Sequence, residues 1–171
     1  FDSLEKSIDS RTRMIIISNP HNPIGRVWSR MELSRLAEIC CKHKILILSD
    51  EIHCDLVLPG FNHTPVATLA AEIAENSVTC LAPSKTFNLA GLSTSSVVIS
   101  NPILRRSFAR TLDSLHIGNG NIFGTIASIA AYSHGNAWLD ALLDYIDMNI
   151  DYTDDYFRKM IPEIIPLKPE A

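Results

Sequence analysis

Short apolar runs that alternate with helical patterns constrain the fold of this chain most. Residues 14–18 and 44–49 are rich in β-branched and aliphatic side chains. Each run is far shorter than the about 18 residues that a membrane span needs, and neither alternates with polar residues as a half-exposed strand does. Buried strands joined through a helix form parallel sheets. The sequence therefore predicts an α/β fold, with a mainly parallel sheet and flanking helices in a three-layer α/β/α arrangement.

The segment between these two runs carries its own helix signals. Ser29 and Glu32 have the spacing of a capping box, in which each residue bonds the backbone N–H of the other. Apolar residues on one helical face follow, namely Leu33, Leu36, Ala37 and Cys40. A helix over residues 30–43 is expected.

The rest of the chain continues the alternation before it becomes helical. We expect strands at residues 77–81 and 94–100, and a short strand at 56–58. The final apolar run, residues 164–167, resembles a further strand. Helices are predicted at residues 4–8, 66–74, 103–115 and 122–133, and from Asn136 to Pro162.

The charge and cysteine content narrow the classes of partner and compartment. Fifteen Lys and Arg stand against 19 Asp and Glu, with no basic cluster. Nucleic acids and anionic membranes need a concentrated positive field, so we expect neither as a partner. The four cysteines form no CxxC pair, and the first residues lack the pattern of a signal peptide. These features favour reduced thiols and a cytoplasmic protein.

Reactive side chains follow three of the predicted strands. In open α/β sheets, ligands bind outside the carboxyl ends of the strands. Those positions hold an amide in a rigid Pro-rich turn (residues 19–25), a carboxylate with a nearby imidazole (50–53), and a lysine beside a hydroxyl (82–85). No GxSxG elbow, glycine-rich phosphate loop or zinc-ligand spacing is present, and we expect no metal site. A lysine amine forms Schiff bases, and a carboxylate can pair with a pyridinium nitrogen, which are the needs of pyridoxal 5'-phosphate (PLP).

Three motifs carry a family resemblance over nearly the entire chain. They read Asn-Pro-His-Asn-Pro-Ile-Gly at residues 19–25, Ser-Asp-Glu-Ile-His at 49–53, and Ser-Lys-Thr-Phe-Asn-Leu-Ala-Gly at 84–91. In this order and spacing they resemble the fold-type I PLP-dependent enzymes of the class I/II aminotransferase superfamily. With Gly-Asn-Ala-Trp-Leu-Asp at 135–140, the wording is most similar to the MalY/PatB-type cystathionine β-lyases, also described as carbon-sulfur lyases.

The resemblance implies a chemical role for three residues. Lys85 would form the internal aldimine with PLP and then move the Cα proton of the substrate. Asp50 would pair with the ring nitrogen of the cofactor. Asn22 would hydrogen-bond its phenolic oxygen.

Three further residues would hold the cofactor by the same resemblance. Ile52 would pack on the ring face, His53 would lie near the phenolic oxygen, and Ser84 would contact the phosphate. Aminotransferases commonly have Tyr at the position of His53. They also have a phosphate-binding hydroxyl and an arginine where this chain has Ala82 and Ser93. These departures lower the expectation of transamination.

The implied function is a PLP-dependent β-lyase that cleaves cystathionine or related cysteine S-conjugates to thiol, pyruvate and ammonia. Two alternatives stay open: an aminotransferase, and a catalytically incomplete PLP-binding fragment or regulatory relative.

Family members are longer, so residues 1–160 are expected to be part of the PLP-binding large domain, and 161–171 the truncated start of a C-terminal small domain. For the full-length protein the resemblance implies a homodimer that acts on a small amino-acid substrate. Activity of this chain by itself stays open.

Overall fold

Four strands form one mixed sheet in the computed structural model, which describes residues 1–118 and 120–171. They are β1 (Met14–Ser18), β2 (Leu46–Asp50), β3 (Ser77–Leu81) and β4 (Ser96–Val98), in that spatial order. The first three strands run parallel, and β4 pairs antiparallel with β3. The expected α/β class with a mainly parallel sheet and flanking helices is therefore confirmed.

Seven α-helices surround or follow this sheet in the described residues. They are α1 (Asp2–Ser7), α2 (Arg30–His43), α3 (Ala71–Glu75), α4 (Pro83–Thr86), α5 (Pro102–Ser114), α6 (Ile122–His134) and α7 (Asn136–Met160). Single 3-10 turns lie at Val66–Thr68 and Ala90–Leu92. No helix in the described part of the chain is both long and apolar enough to cross a membrane.

Three expected elements differ from the structure. The helix predicted over residues 66–74 is broken, because Ala70 adopts an extended backbone between the 3-10 turn and α3. Residues 56–58 and 164–167 are not strands, since an apolar run becomes a strand only beside another strand. In place of a ladder, Leu58 N–H donates a single hydrogen bond to Glu170 O, at 3.0 Å.

The core lies on one face of the sheet. Ile17 of β1 and Ile47 of β2 pack there against the apolar face of α2, and Val66 and Ile73 extend the cluster. On the opposite face of β1, Ile16 keeps 69% of its surface exposed. The described helices therefore cover β1 from one side, although its sequence has the unbroken apolar character of a strand buried on both faces.

Helix α2 begins with the expected capping box. Ser29 Oγ accepts a hydrogen bond from Glu32 N at 3.3 Å, and Glu32 Oε2 accepts one from Ser29 N at 3.0 Å. Glu32 also pairs with Arg26. The Arg26 guanidinium, followed by the Ser29 hydroxyl and backbone, lowers the pKa of Glu32 to about 2. The carboxylate therefore stabilises the start of α2.

Replacing Glu32 with glutamine is expected to lower the free energy of unfolding by about 1 kcal/mol at pH 7, a modest value because the ion pair is partly solvated. The pKa of Glu32 is lower in the folded protein than in the unfolded chain. The stabilisation is therefore present above the ordinary pKa of 4.5 and fades as pH falls toward 2. Urea denaturation of the parent and Glu32→Gln proteins at pH 7 and pH 3 measures this. An equal loss at both pH values would contradict the role of the charge.

Candidate functional site

The carboxyl ends of β1, β2 and β3 place the predicted site residues at one edge of the sheet. Ser18 is paired with Asp50, and Asp50 with Cys80, so the three parallel strands end level with one another. The strand ends and the segments that follow them carry all of the predicted residues. They are Asn22, Asp50, Ile52, His53, Ser84 and Lys85.

The turn after β1 is fixed by Asn19, whose side chain is fully buried. Asn19 Oδ1 accepts from Trp28 N and Nδ2 donates to Thr64 O, both at 3.2 Å. Asn19 N–H donates to Asp50 O at 2.9 Å, which ties the turn to the end of β2. The exposed Asn22 side chain makes no hydrogen bond to any described residue, so its amide is free to bind a ligand.

The end of β2 holds a carboxylate, and the segment after it holds an imidazole. Asp50 Oδ1 accepts a hydrogen bond from Ile52 N at 3.3 Å. His53 Nε2 is buried and has no hydrogen-bond partner within the described part of the chain. Burial lowers the pKa of His53, the positive charge of Lys85 lowers it further, and the charge of Asp50 acts in the opposite direction. His53 is therefore neutral at pH 7, and its buried ring nitrogen can make one more hydrogen bond.

Lys85 lies in α4, directly after β3. The two residues that follow it, Thr86 and Phe87, are fixed by contacts with other parts of the chain. Thr86 is fully buried and donates from Oγ1 to Asp55 Oδ2 at 2.9 Å. The Phe87 ring packs on Tyr132 and Trp138, with centroid distances of 5.3 and 5.9 Å. Lys85 itself is exposed and forms no ion pair with a described residue. The backbone under the lysine is thus rigid, while its amine is free.

Close packing against Phe87 requires a glycine at position 135, between α6 and α7. A Cβ built on Gly135 would lie 2.5 Å from Cε1 of Phe87, well inside van der Waals contact. The absence of a side chain lets α6 and α7 approach the ring that anchors the lysine segment. The sequence motif at residues 135–140 therefore begins with a packing requirement.

A cavity of about 290 Å³ brings two of the predicted residues together. Asn22 and His53 line it, and Leu56, Ile146 of α7 and Ala171 complete its walls with the rest of the turn. Asp50 and Lys85 lie outside this lining but act on the charge of His53. The other two predicted residues, Ile52 and Ser84, are half-buried on the same two segments and also lie outside the lining.

The sequence interpretation missed a buried carboxylate next to Asp50. Glu51 is 1% exposed, and its Oε1 accepts from Ser49 Oγ at 2.8 Å and from Val66 N at 3.0 Å. Its Oε2 lies 2.8 Å from His63 Nε2. Strand alternation was the available signal, because it puts Glu51 on the same face as Ser49 and the core residue Ile47. An acid on a core face requires buried partners.

Comparisons with known proteins show the family of this chain. A family model described as aminotransferase class I and II matches residues 1–171. Cystathionine beta-lyase PatB of Bacillus subtilis is 43% identical over 172 residues, which cover 100% of this chain and 44% of PatB.

Two solved structures extend the likeness to three dimensions. The PLP-bound putative aminotransferase from Clostridium difficile has a TM-score of 0.96 and 38% identity, covering 99% of this chain and 44% of its own. Cystalysin from Treponema denticola, which contains a PLP cofactor, has a TM-score of 0.96 and 36% identity, covering 99% and 43%. The chain therefore spans less than half the length of these relatives. Since the family model matches its whole length, the chain belongs to the aminotransferase class I and II family.

Proposed function

We propose that this protein is a PLP-dependent carbon-sulfur β-lyase that cleaves cystathionine or a related cysteine S-conjugate to a thiol, pyruvate and ammonia. The observation that carries the proposal is the 43% identity with cystathionine beta-lyase PatB across the complete chain. The overall reaction breaks the Cα–H and Cβ–S bonds and the Cα–N bond, and it consumes one water. It needs no external oxidant or reductant.

The side chains at the strand ends fit PLP by their chemistry. A free amine, a carboxylate and a free amide stand at neighbouring ends, on Lys85, Asp50 and Asn22. The buried, unpartnered Nε2 of His53 needs a hydrogen-bond partner that the described residues do not provide. PLP offers a partner for each of these groups. Its aldehyde can react with the amine, its ring nitrogen can pair with the carboxylate, and its phenolic oxygen can bond to the amide and the imidazole.

When bound, PLP would supply an electron sink for the charge that develops at Cα of the substrate. In our proposal, Lys85 would hold the cofactor through its amine and take the Cα proton, and the departing sulfur would be protonated and leave as the thiol. Lys85 has an exposed side chain on a segment that Phe87 anchors, and both features support this role. A group that transfers a proton must be able to reach the substrate, and the backbone that carries it must be held in place. Asp50 would keep the ring nitrogen protonated, which strengthens the electron withdrawal.

The remaining residues would orient the cofactor. Asn22 and His53 would bind the phenolic oxygen, Ile52 would pack on the ring face, and Ser84 would contact the phosphate. The shared cavity of Asn22 and His53 supports their pairing on one ligand atom. The neutral state of His53 at pH 7 suits a hydrogen bond to that oxygen, because it adds no second positive charge beside Lys85.

The second candidate is an aminotransferase with the same cofactor, favoured by the likeness to the putative aminotransferase from Clostridium difficile. Ala82 and Ser93 weigh against it, since Ala82 offers no hydrogen bond to a phosphate and Ser93 lacks the positive charge of an arginine. A third candidate is a protein that binds PLP without turnover, and the half-length match to the relatives leaves it open.

The wider assignments are also part of the proposal. Residues 1–160 would belong to the PLP-binding large domain and residues 161–171 to the start of a small domain. We further propose a cytoplasmic homodimer that acts on a small amino-acid substrate and binds neither nucleic acid nor membrane. Large exposed apolar side chains on α6, such as Phe123 and Ile126, support a covered helix layer in the assembled protein.

A turnover assay tests the lyase proposal. Purified protein supplied with PLP and L-cystathionine is expected to release pyruvate and thiol in equal amounts, with no 2-oxo acid present. Pyruvate formation that is absent, together with amino transfer only when a 2-oxo acid is added, would favour the aminotransferase. An absorption band of bound PLP without either product would favour the third candidate.

A further inference from the structure

Glu170 joins three separate segments near the candidate site. Its backbone N–H donates to Gly25 O at 2.6 Å, and its backbone carbonyl accepts from Leu58 N at 3.0 Å. Its side-chain Oε2 accepts from Val27 N at 2.7 Å. One residue therefore holds residues 169–171, the turn after β1 and the loop after β2 in a fixed arrangement.

The turn is shaped to receive this segment. Gly25 has a φ of +67°, which L side chains rarely adopt. A Cβ at Gly25 would also lie 2.7 Å from Pro169 Cβ and 2.8 Å from Ala171 O. Glycine thus meets both the backbone conformation and the close approach of residues 169–171, so this contact is a built feature of the fold.

The contact forms one wall of the cavity that Asn22 and His53 line. Gly25 and Ala171, which flank the Glu170 bonds, belong to the same lining. Val27 is buried, and no described residue other than Glu170 accepts from its N–H. Removing the carboxylate would leave that donor unpaired, and an unpaired buried donor destabilises the conformation that holds it.

We infer that Glu170 is a positioning residue, whose carboxylate fixes the turn bearing Asn22 and so shapes the cavity that Asn22 and His53 line. The structural part of this inference stands on the hydrogen bonds alone. Its consequence for PLP rests on the proposed function. A glutamine at position 170 keeps an oxygen that can accept from Val27 N, whereas an alanine does not.

The test compares Glu170→Ala and Glu170→Gln with Glu163→Ala, a control at an exposed residue of the same segment. Amide hydrogen exchange at Val27 is expected to accelerate by about tenfold in Glu170→Ala, in line with a lost bond to a charged acceptor. Exchange at Leu58 should change less, because its acceptor is a backbone carbonyl. Glu170→Gln should stay close to the parent at both amides.

A second readout follows PLP binding by absorbance titration. Glu170→Ala is expected to bind PLP about five- to tenfold more weakly. In turnover it should raise the KM for cystathionine more than it lowers kcat, and Glu170→Gln should recover both values.

If Glu170→Ala does not fold, Glu170→Asp removes the same contact by withdrawing the carboxylate one methylene. Unchanged Val27 exchange and PLP affinity would overturn the inference. A parent protein that binds PLP but lacks lyase activity would refute the lyase alone.

Discussion

Replacing Lys85 with alanine is expected to lower the rate of pyruvate release from cystathionine by about a thousandfold or more. The variant loses the amine that would hold the cofactor and move the Cα proton, and proton transfer alone contributes roughly 10²- to 10⁴-fold. Pyruvate production by the purified protein, with PLP in excess, measures the effect. Lys85 is exposed and unpaired among the described residues, so its loss should leave unchanged the thermal unfolding temperature measured without PLP.

Lys159→Ala provides the matched control for this prediction. Lys159 is an exposed lysine of α7, and its Nζ lies 3.0 Å from Asp155 in a surface pair of little energetic weight. Its variant should keep the parent rate. A soluble, folded Lys85→Ala protein with the parent rate would contradict both the site and the proposed chemistry.

Local signals in the sequence predicted much of the sheet. β1 and β3 occupy the expected residues, and α2 begins and ends at Arg30 and His43. Both results rest on interactions within a few residues, such as the capping box and the helical face. The break at residues 66–74 could not be read this way, because Val66 N–H donates to Glu51, 15 residues earlier in the chain. A distant acceptor at Val66 N–H favours a turn over a regular helix there.

Some residues of the candidate site could be predicted from the sequence, and others could not. The ends of parallel strands were predictable, and they carry Asp50 and Lys85 at one edge of the sheet. The residues that brace this edge were not, since Glu170 meets Val27 across 143 positions of sequence. Pattern analysis identifies the groups that can react, but it does not reveal long-range contacts that orient them. The two bracing carboxylates, Glu51 and Glu170, both belong to this second class.

Glu51→Ala is expected to have the largest effect on stability, lowering the free energy of unfolding by about 3–5 kcal/mol. The substitution leaves Ser49 Oγ, Val66 N–H and His63 Nε2 without their buried acceptor. Glu51→Gln keeps the shape and one acceptor oxygen, so about 1–2 kcal/mol is expected there. Urea denaturation at pH 7 measures both. Glu75→Ala, at an exposed residue of α3, serves as the control.

A double-mutant cycle separates the Glu51–His63 pair from the rest of the network. His63→Phe alone should destabilise the protein, because it leaves Glu51 Oε2 buried without its partner, the only one it has among the described residues. In the Glu51→Ala background the same change should be less harmful by about 1–2 kcal/mol, since no charge remains to be satisfied. Additive losses would show that the 2.8 Å contact carries no coupling. Glu51 N–H also donates to Cys80 O at 2.9 Å, directly after Asp50, so a strongly coupled pair would stabilise the strand end that presents that carboxylate.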